Sequence, residues 1–202
     1  MKPHLVRYWL TPVVDEQLDE KVSDINQLYQ QAPRLVEQGE AVVSTDELTG
    51  LQALERKHET LPMKAGTVEY QDFEYKRHVT QSFIVNFMVA TGEIGTVSHG
   101  PTRKETDFLN HVRATVEAQP EIRKWHFVVD NLNTHCSESL VRFVADESDI
   151  ADDLGEKGKS GILQSMNSRA AFLVDTSHRL VFHYTPKHAS WMNQIEIWLS
   201  IL

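Results

Sequence analysis

The sequence predicts an α/β fold, in which β-strands and amphipathic helices alternate along most of the chain. Short runs of β-branched and aromatic residues, such as Phe127–Val129, are typical of buried strands. Elsewhere apolar residues recur every three or four positions, which indicates helices that pack through one face. With 202 residues, the chain is long enough for one well-buried domain and a small appendage.

The composition is that of a globular protein, with 41% hydrophobic and 24% charged residues. No apolar run reaches the roughly 20 residues that a membrane helix needs. Cys136 is the single cysteine, so an internal disulfide and a multi-cysteine zinc site are excluded, and a reducing cytoplasm is the expected compartment. The net charge of −9 argues against a dedicated nucleic-acid-binding module, but not against an enzyme that binds nucleic acid through another segment.

The first predicted elements are a helix and a strand. Apolar residues at helical spacing predict a helix over 15–31, with Asp15 as its N-cap and Pro33 as its stop. Residues 40–46 form a strand candidate with Asp46 at its end. The following segment, 48–59, is ambiguous because Gly50 weakens a helix.

Further strands and a helix follow in the middle of the chain. Residues 67–75 alternate weakly and predict a strand or an edge, whereas 81–89 have the Phe, Ile and Val content of a central strand. Thr91-Gly92 predicts a tight turn into a strand over 94–98. Thr102 is predicted to cap the next helix, with Glu105 reaching back in a capping box, and Pro120 closes that helix.

Two more strands, each followed by a helix, complete the predicted order. The strand that ends at Asp130 leads through turn-forming residues into a helix over 137–145. Residues 146–161 are acidic and rich in glycine, so we expect an exposed, mobile insertion. A strand over 180–184 precedes a proline loop and a last helix, which Ser190 is predicted to cap. The apolar face of that helix is Ile195, Trp198, Leu199 and Leu202.

Carboxylates stand at the predicted ends of the first and fourth strands and in the last helix, at Asp46, Asp130 and Glu196. Asn193 precedes Glu196 by three residues and shares its helix face. Carboxylates that converge repel one another unless a cation lies between them, and hard divalent cations prefer oxygen ligands. Spacing alone leaves another interpretation open, in which Asp130 only satisfies an Asx turn and the three acids are unrelated.

Three segments carry a resemblance to a known family: TDELTGLQALER, VVDNLNTH and YTPKHASWMNQIEIW. They resemble the catalytic core of bacterial insertion-sequence transposases related to the mariner superfamily, over about residues 40–202. The resemblance implies an RNase H-like fold, with a five-stranded mixed sheet flanked by helices and an N-terminal helical appendage. It also implies an Asp-Asp-Glu/Asp triad of catalytic acids.

By the same resemblance, the triad positions fall on Asp46, Asp130 and Glu196, which would bind two Mg²⁺ or Mn²⁺ ions. Supporting positions fall on Asn131, His135 and Asn193, and candidate DNA contacts are Lys187, His188 and Trp191. The residues leave three alternatives open. In the first, the third acid is Asp175, which lies closer in sequence to Asp130 but lacks the context of proline loop and helix. In the second, His135 only hydrogen-bonds its own turn, and in the third, Trp191 only packs within the protein.

The function implied by the resemblance is that of a DNA transposase catalytic domain. Water attacks a phosphodiester at a transposon end, and the freed 3′-hydroxyl then attacks target DNA. The expected partners are double-stranded DNA and a second copy of the chain, without a membrane, in the bacterial cytoplasm and at the nucleoid when DNA is bound. A metal-dependent nuclease without strand transfer, and a catalytically silent DNA-binding remnant, stay open as alternatives.

The predicted domain organisation follows from the extent of the resemblance. Residues 1–39 are expected to be the tail of a missing DNA-binding domain, and residues 40–202 a catalytic domain truncated at its C-terminal end. An insertion at about 146–178 explains why Asp130 and Glu196 lie farther apart in sequence than the matching acids of mariner-related transposases. Missing basic segments would also explain the negative net charge.

Overall fold

A five-stranded mixed sheet is the centre of the structure, a computed structural model that describes residues 17–187 and 189–201. The strands are β1 (Glu40–Arg56), β2 (Tyr75–Met88), β3 (Glu93–Gly100), β4 (Lys124–Val129) and β5 (Leu180–Tyr184). They lie in the order β3-β2-β1-β4-β5. The first three are antiparallel neighbours, whereas β1, β4 and β5 run parallel. This confirms the predicted RNase H-like fold.

Helices cover both faces of the sheet. They are α1 (Leu18–Glu37), α2 (Glu105–Ala118), α3 (Glu138–Glu147), α4 (Met166–Leu173) and α5 (Gln194–Leu199). Side chains alternate between the faces of a strand, so Phe127 packs in the larger core with α2, α3 and α4, and Val128 packs on the other face with α1. Within the described part of the chain, no helix is both long and apolar enough to span a bilayer.

Aromatic stacking fixes the middle of the larger core. The Phe127 ring stacks on Phe182 with 5.1 Å between ring centroids, and on Trp125 with 5.9 Å. All three side chains are fully buried. Burial of each such side chain contributes about 2–3 kcal/mol, so this stack holds β4 and β5 in register beneath the strand end that carries Asp130.

Helix α1 is longer than predicted, because it continues through Pro33 to Glu37. The predicted stop at Pro33 is therefore wrong. Ala32 is fully buried on the sheet and Leu35 packs on the same core, which stabilises the turn around the proline. The Tyr29 hydroxyl also donates a hydrogen bond to the Met192 carbonyl at 2.9 Å, tying α1 to the segment before α5. The predicted N-cap, Asp15, lies outside the described residues.

Strand β1 does not end at Asp46, as the sequence analysis predicted, but continues to Arg56. Its second half pairs only with β2, and the two strands form a largely exposed hairpin arm over residues 49–80. Gly50 has φ 78° at an irregularity of this hairpin, a backbone conformation that glycine adopts without strain. The strand predicted over 67–75 is absent from the described structure, where two isolated bridges occupy the tip of the arm.

The predicted capping box of α2 is wrong by two residues. The N-cap is Lys104, and the Asp107 carboxylate accepts hydrogen bonds from the Lys104 N–H at 2.7 Å and from the Thr102 hydroxyl at 2.6 Å. Glu105 is the first residue of the helix, so it does not bond back to the cap. Its carboxylate instead accepts hydrogen bonds from the Ser139 N–H and hydroxyl, which joins α2 to α3.

The acidic segment after α3 is mostly exposed, as predicted, but it is anchored in the domain. Leu154, Leu163 and Leu173 are buried in the larger core, and the last of these lies on α4, a helix that the sequence analysis did not predict. Farther along, Ser190 begins a 3-10 turn, Ser190–Met192, and does not cap α5. Asn193 occupies that N-cap position.

Candidate active site

Four consecutive residues of β1, Ser44 to Glu47, form the centre of the candidate site. Their side chains alternate between the two faces of the sheet. Val42 lies in the core beside α1, which puts Ser44 and Asp46 on that face and Thr45 and Glu47 on the face of α2 and α3. Ser44 is the last β1 residue that pairs with β4, opposite Val128, so Asp46 lies just beyond the parallel ladder.

Asp130 follows the last residue of β4 and has two structural contacts. Its Oδ1 accepts a hydrogen bond from the Leu132 N–H at 3.1 Å, which closes the predicted Asx turn. The same oxygen lies 2.8 Å from Nδ1 of His135. The side chain is 27% exposed. Asp130 therefore forms its turn and also keeps an open side toward solvent.

Glu196 is brought to the site by hydrogen bonds between β1 and the start of α5. The Ser44 hydroxyl donates to Oδ1 of Asn193, and Asn193 donates from Nδ2 to the Thr45 carbonyl at 2.9 Å. Ser44 Oγ in turn accepts from the Ile195 N–H at 2.9 Å. Asn193 is fully buried. These bonds fix the first turn of α5 against β1, and Glu196 lies in that turn.

The pKa of Asp46 is raised by its burial and by the nearby acids. Burial raises the pKa of Asp46, and repulsion from Asp130, Glu196 and Glu47 raises it further, to about 7. The Glu47 N–H donates a hydrogen bond to Oδ1 of Asp46 at 2.7 Å, which opposes the rise only in part. About half of the Asp46 carboxyl groups are therefore protonated at pH 7 when no cation balances the neighbouring charges.

His135 lies between two carboxylates behind the site. Its Nδ1 faces Asp130, and its Nε2 lies 3.2 Å from Oε1 of Glu47. Burial works against protonation of this imidazole, but the bonds with Asp130 and Glu47 prevail and raise its pKa to about 9. Burial also works to raise the pKa of Asp130, yet the hydrogen bond and charge of His135 lower it below its ordinary value. Asp130 is thus ionised at neutral pH.

The donor set fits a hard divalent cation. Asp46, Asp130 and Glu196 supply only carboxylate oxygens, the ligands that Mg²⁺ and Mn²⁺ prefer. No three His, Cys, Asp or Glu side chains stand in ligating arrangement within residues 17–187 and 189–201. The acids are nevertheless near enough to raise the pKa of Asp46 beyond the effect of its burial, and a cation between them would remove this repulsion.

A cavity of about 340 Å³ opens beside Asp130. Its lining is Glu47, Arg103, Asn131, Leu132, Asn133 and Thr134. Arg103 is exposed, and its positive charge helps to lower the pKa of Asp130. Asn131 donates a hydrogen bond from Nδ2 to the Thr185 carbonyl, which ties the turn after β4 to the loop after β5. The lining of the cavity is polar, with Glu47 and Arg103 as its charged residues, and it includes none of the three acids.

The candidate DNA contacts and the alternative third acid lie in different surroundings. Lys187 and Trp191 are exposed, Trp191 by 66%, so both side chains can reach a ligand. His188 lies outside the described residues. Asp175 lies near Lys124, at the start of β4, roughly 20 Å along the strand from Asp130. Asp175 is therefore too far away to complete the triad.

Three residues of the site were not singled out by the sequence analysis: Ser44, Glu47 and Arg103. Glu47 stands beside Asp46 in the sequence, and the acidic pair was its only local signal. Its burial depends on His135, which lies 88 residues farther along the chain. Ser44 likewise becomes informative only through its contacts with Asn193 and Ile195.

Comparison with known proteins gives one family and several similar structures. The sequence profile of the DDE superfamily endonuclease family matches residues 41–202. The chain matches no curated protein. One similar solved structure is the Mos1 mariner paired end complex with Mn, with 14% identity over 98% of this chain and a TM-score of 0.39. The same complex with Mg has 10% identity over 97% of this chain and a TM-score of 0.41.

The Mos1 strand transfer complex is a third similar structure, with 12% identity over 96% of this chain and a TM-score of 0.39. The chain spans 59%, 58% and 57% of the three Mos1 chains, respectively. It therefore corresponds to a little over half the length of those proteins.

Proposed function

Because this chain belongs to the family of DDE superfamily endonucleases, we propose that it is the catalytic domain of a DNA transposase. The proposed reaction is hydrolysis of a phosphodiester at a transposon end, followed by transfer of the freed 3′-hydroxyl into target DNA. The observation that carries the proposal is the convergence of three acids from β1, the end of β4 and α5. Burial raises the pKa of Asp46, and the charges of Asp130 and Glu196 add to that rise, to about 7.

In this proposal Asp46, Asp130 and Glu196 hold two Mg²⁺ or Mn²⁺ ions. When bound, such ions supply Lewis-acid activation of the attacking oxygen and stabilise charge on the leaving oxygen. Asp46 must give up its proton for this role, whereas the bond with His135 keeps Asp130 ionised. Asn193 and Ser44 hold α5 so that Glu196 faces the same site.

The DNA backbone is proposed to enter along the cavity beside Asp130. Arg103 offers a cation that offsets the charge of a phosphate next to the carboxylates, in a chain whose net charge is −9. Lys187 and Trp191 are exposed side chains between β5 and α5 and are proposed to contact the same DNA. Pairing of two copies on two transposon ends, a bacterial location, and the assignment of residues 1–39 to a linker and helix region belong to the same proposal.

The first test is nicking of supercoiled plasmid DNA by the full chain in Mg²⁺, Mn²⁺ or EDTA. We expect cleavage in either metal, none in EDTA, and none from Asp130→Ala. Asp175→Ala removes an exposed acid at the far end of β4 and is the matched control, which should cleave like the wild type. Equal cleavage by wild type and Asp130→Ala would exclude the proposed centre.

The second test separates a transposase from a nuclease. An oligonucleotide with a transposon end and a free 3′-hydroxyl is incubated with target plasmid, and joined products are measured by gel. Joined products that form with the wild type and are lost in Glu196→Gln would support strand transfer. Cleavage without joining would favour the metal-dependent nuclease, and binding of DNA without either reaction would favour the silent remnant.

A further inference from the structure

We propose that Glu47 is a positioning residue of this site, which acts through His135 to hold Asp130 in place for metal binding. The inference rests on the proposed function, because it concerns the same three acids. It is carried by a continuous buried contact from Glu47 to His135 to Asp130, which spans the gap between β1 and β4 where their main chains no longer pair.

The gap is set by the sheet itself. The parallel ladder of β1 and β4 ends at Ser44 and Val128, and Asp46 and Asp130 each lie two residues farther along. Beyond that point β1 stays with β2 and enters the hairpin arm, whereas the chain after β4 turns into the 3-10 turn Asn133–Cys136. Main-chain hydrogen bonds between these two strands therefore do not set the separation of the two acids.

The buried contact crosses this gap. Oε1 of Glu47 lies 3.2 Å from Nε2 of His135, and Nδ1 of the same ring lies 2.8 Å from Oδ1 of Asp130. Nδ1 also lies 3.2 Å from the main-chain carbonyl oxygen of Asp130. Each ring nitrogen thus faces only acceptor oxygens, so both nitrogens donate, and His135 holds Asp130 through its main chain as well as its carboxylate. Because both nitrogens of this rigid ring are bound, His135 fixes the position and orientation of Asp130.

The surroundings leave the imidazole little freedom. Its ring centroid lies 4.2 Å from that of Phe108, and the Tyr184 hydroxyl donates to the His135 carbonyl at 2.8 Å. The His135 side chain is fully buried and that of Glu47 is 3% exposed. A carboxylate so deeply buried is costly unless it is paired, which indicates that its pairing with His135 is a specific feature of this site.

Strand alternation separates Glu47 from the metal ligands. Asp46 lies on the face of α5, whereas Glu47 lies on the face of α2 and α3, where His135 is packed. The side chain of Glu47 therefore reaches Asp130 through His135, whereas its effect on Asp46 comes from its charge and its main-chain N–H. The same short segment of β1 thus carries the first acid and the support of the second.

The test measures Mn²⁺ binding by the full chain without DNA, using electron paramagnetic resonance to count free Mn²⁺. Three variants of Glu47 separate the effect of its side-chain length from the effect of its charge. Glu47→Gln keeps an acceptor oxygen at the same reach, Glu47→Asp keeps the charge but withdraws the oxygen by one methylene, and Glu47→Ala removes both. We expect 10- to 100-fold weaker Mn²⁺ binding in the Asp and Ala variants, as outer-shell changes typically cause, and binding within about threefold of wild type in the Gln variant.

A matched control comes from the same strand. Glu40 also pairs with a histidine, at 3.1 Å from Nε2 of His126, but at the first residue of β1, where the parallel ladder with β4 begins. Glu40→Ala should bind Mn²⁺ as tightly as the wild type, which excludes a general effect of losing a Glu–His pair. Circular dichroism and urea unfolding establish that each variant is folded, and Glu47→Asp decides the matter if Glu47→Ala does not fold.

The outcomes distinguish this inference from the function on which it rests. Wild-type affinity in Glu47→Asp, or equal loss in Glu47→Gln and Glu47→Asp, would overturn the positioning role and leave the proposed metal centre intact. Absence of Mn²⁺ binding by the wild-type chain, with Asp130→Ala unchanged from it, would overturn the metal centre and the positioning role together.

Discussion

Replacement of Asp46 by Asn should make the metal-free protein more stable at pH 8. The carboxyl of Asp46 is buried among other acids, and its pKa of about 7 means that the folded protein binds its proton more tightly than the unfolded chain does. The stabilisation linked to that proton is present below the ordinary pKa of 3.8 and is lost as the pH rises through about 7.

The magnitude follows from the two pKa values. The pKa rises from 3.8 to about 7, and each pKa unit corresponds to about 1.4 kcal/mol, so ionised Asp46 costs the folded state on the order of 4 kcal/mol. The amide of Asn carries no charge, and its Oδ1 can still accept the hydrogen bond from the Glu47 N–H. We therefore expect Asp46→Asn to unfold at higher urea than the wild type at pH 8, and at nearly the same urea at pH 4.

The assay is urea unfolding in EDTA at a series of pH values between 4 and 8, with the free energy of unfolding of the variant compared with that of the wild type at each pH. Asp175→Asn is the matched control, because Asp175 is exposed and its pKa is lowered by the hydrogen bond from the Ser177 N–H, so this variant should gain no stability. Added Mg²⁺ should stabilise the wild type and not Asp46→Asn. A variant that is no more stable than the wild type at pH 8, with an unchanged urea dependence, would refute this account of Asp46.

Two further predictions concern stability. Asn193→Ala should lower the free energy of unfolding by about 2–4 kcal/mol, because it leaves buried polar groups of β1 without their partner. Ser200→Ala, at the C-cap of the same helix, should change the free energy of unfolding by less than about 0.5 kcal/mol; both are measured by urea unfolding. Gly155→Ala should lower the melting temperature more than Gly158→Ala in calorimetry, because a Cβ at 155 would lie 2.2 Å from the Ser160 carbonyl oxygen, whereas a Cβ at 158 has no neighbour within 4 Å. If both variants of a pair lose the same stability, the contact proposed for the first variant does not contribute as described.

The sequence predicted those elements whose burial leaves a local pattern. Strand β5 was predicted at its observed bounds, and β4 was found from the apolar run that ends at Asp130, because both are buried on two faces. The hairpin arm was missed for the opposite reason. Leu51 and Leu54 are exposed on strands that extend away from the core, so no alternation of apolar and polar residues marked them.

The residues of the candidate site also differ in whether the sequence alone could identify them. Asp130 could be predicted from its place at a strand end, and Glu196 from the resemblance of its motif, whereas Asp46 was predicted at a strand end that the structure does not have. Glu47 could not be found, because a carboxylate is buried only when the fold supplies a partner, and His135 is distant in sequence. The local sequence pattern around Glu47 cannot reveal its pairing with His135, because only the tertiary structure brings the two residues together.

The bond between Ser44 and Asn193 joins residues 149 positions apart, and this separation bears on synthesis in the cell. At roughly 5–20 residues per second, a ribosome makes Asn193 about 7–30 s after Ser44. During that interval the nascent chain has its first acid but not the helix that brings the third. Under the proposed function, the polypeptide therefore cannot assemble its three acids while its early strands emerge, and the site is completed only after translation has passed α5.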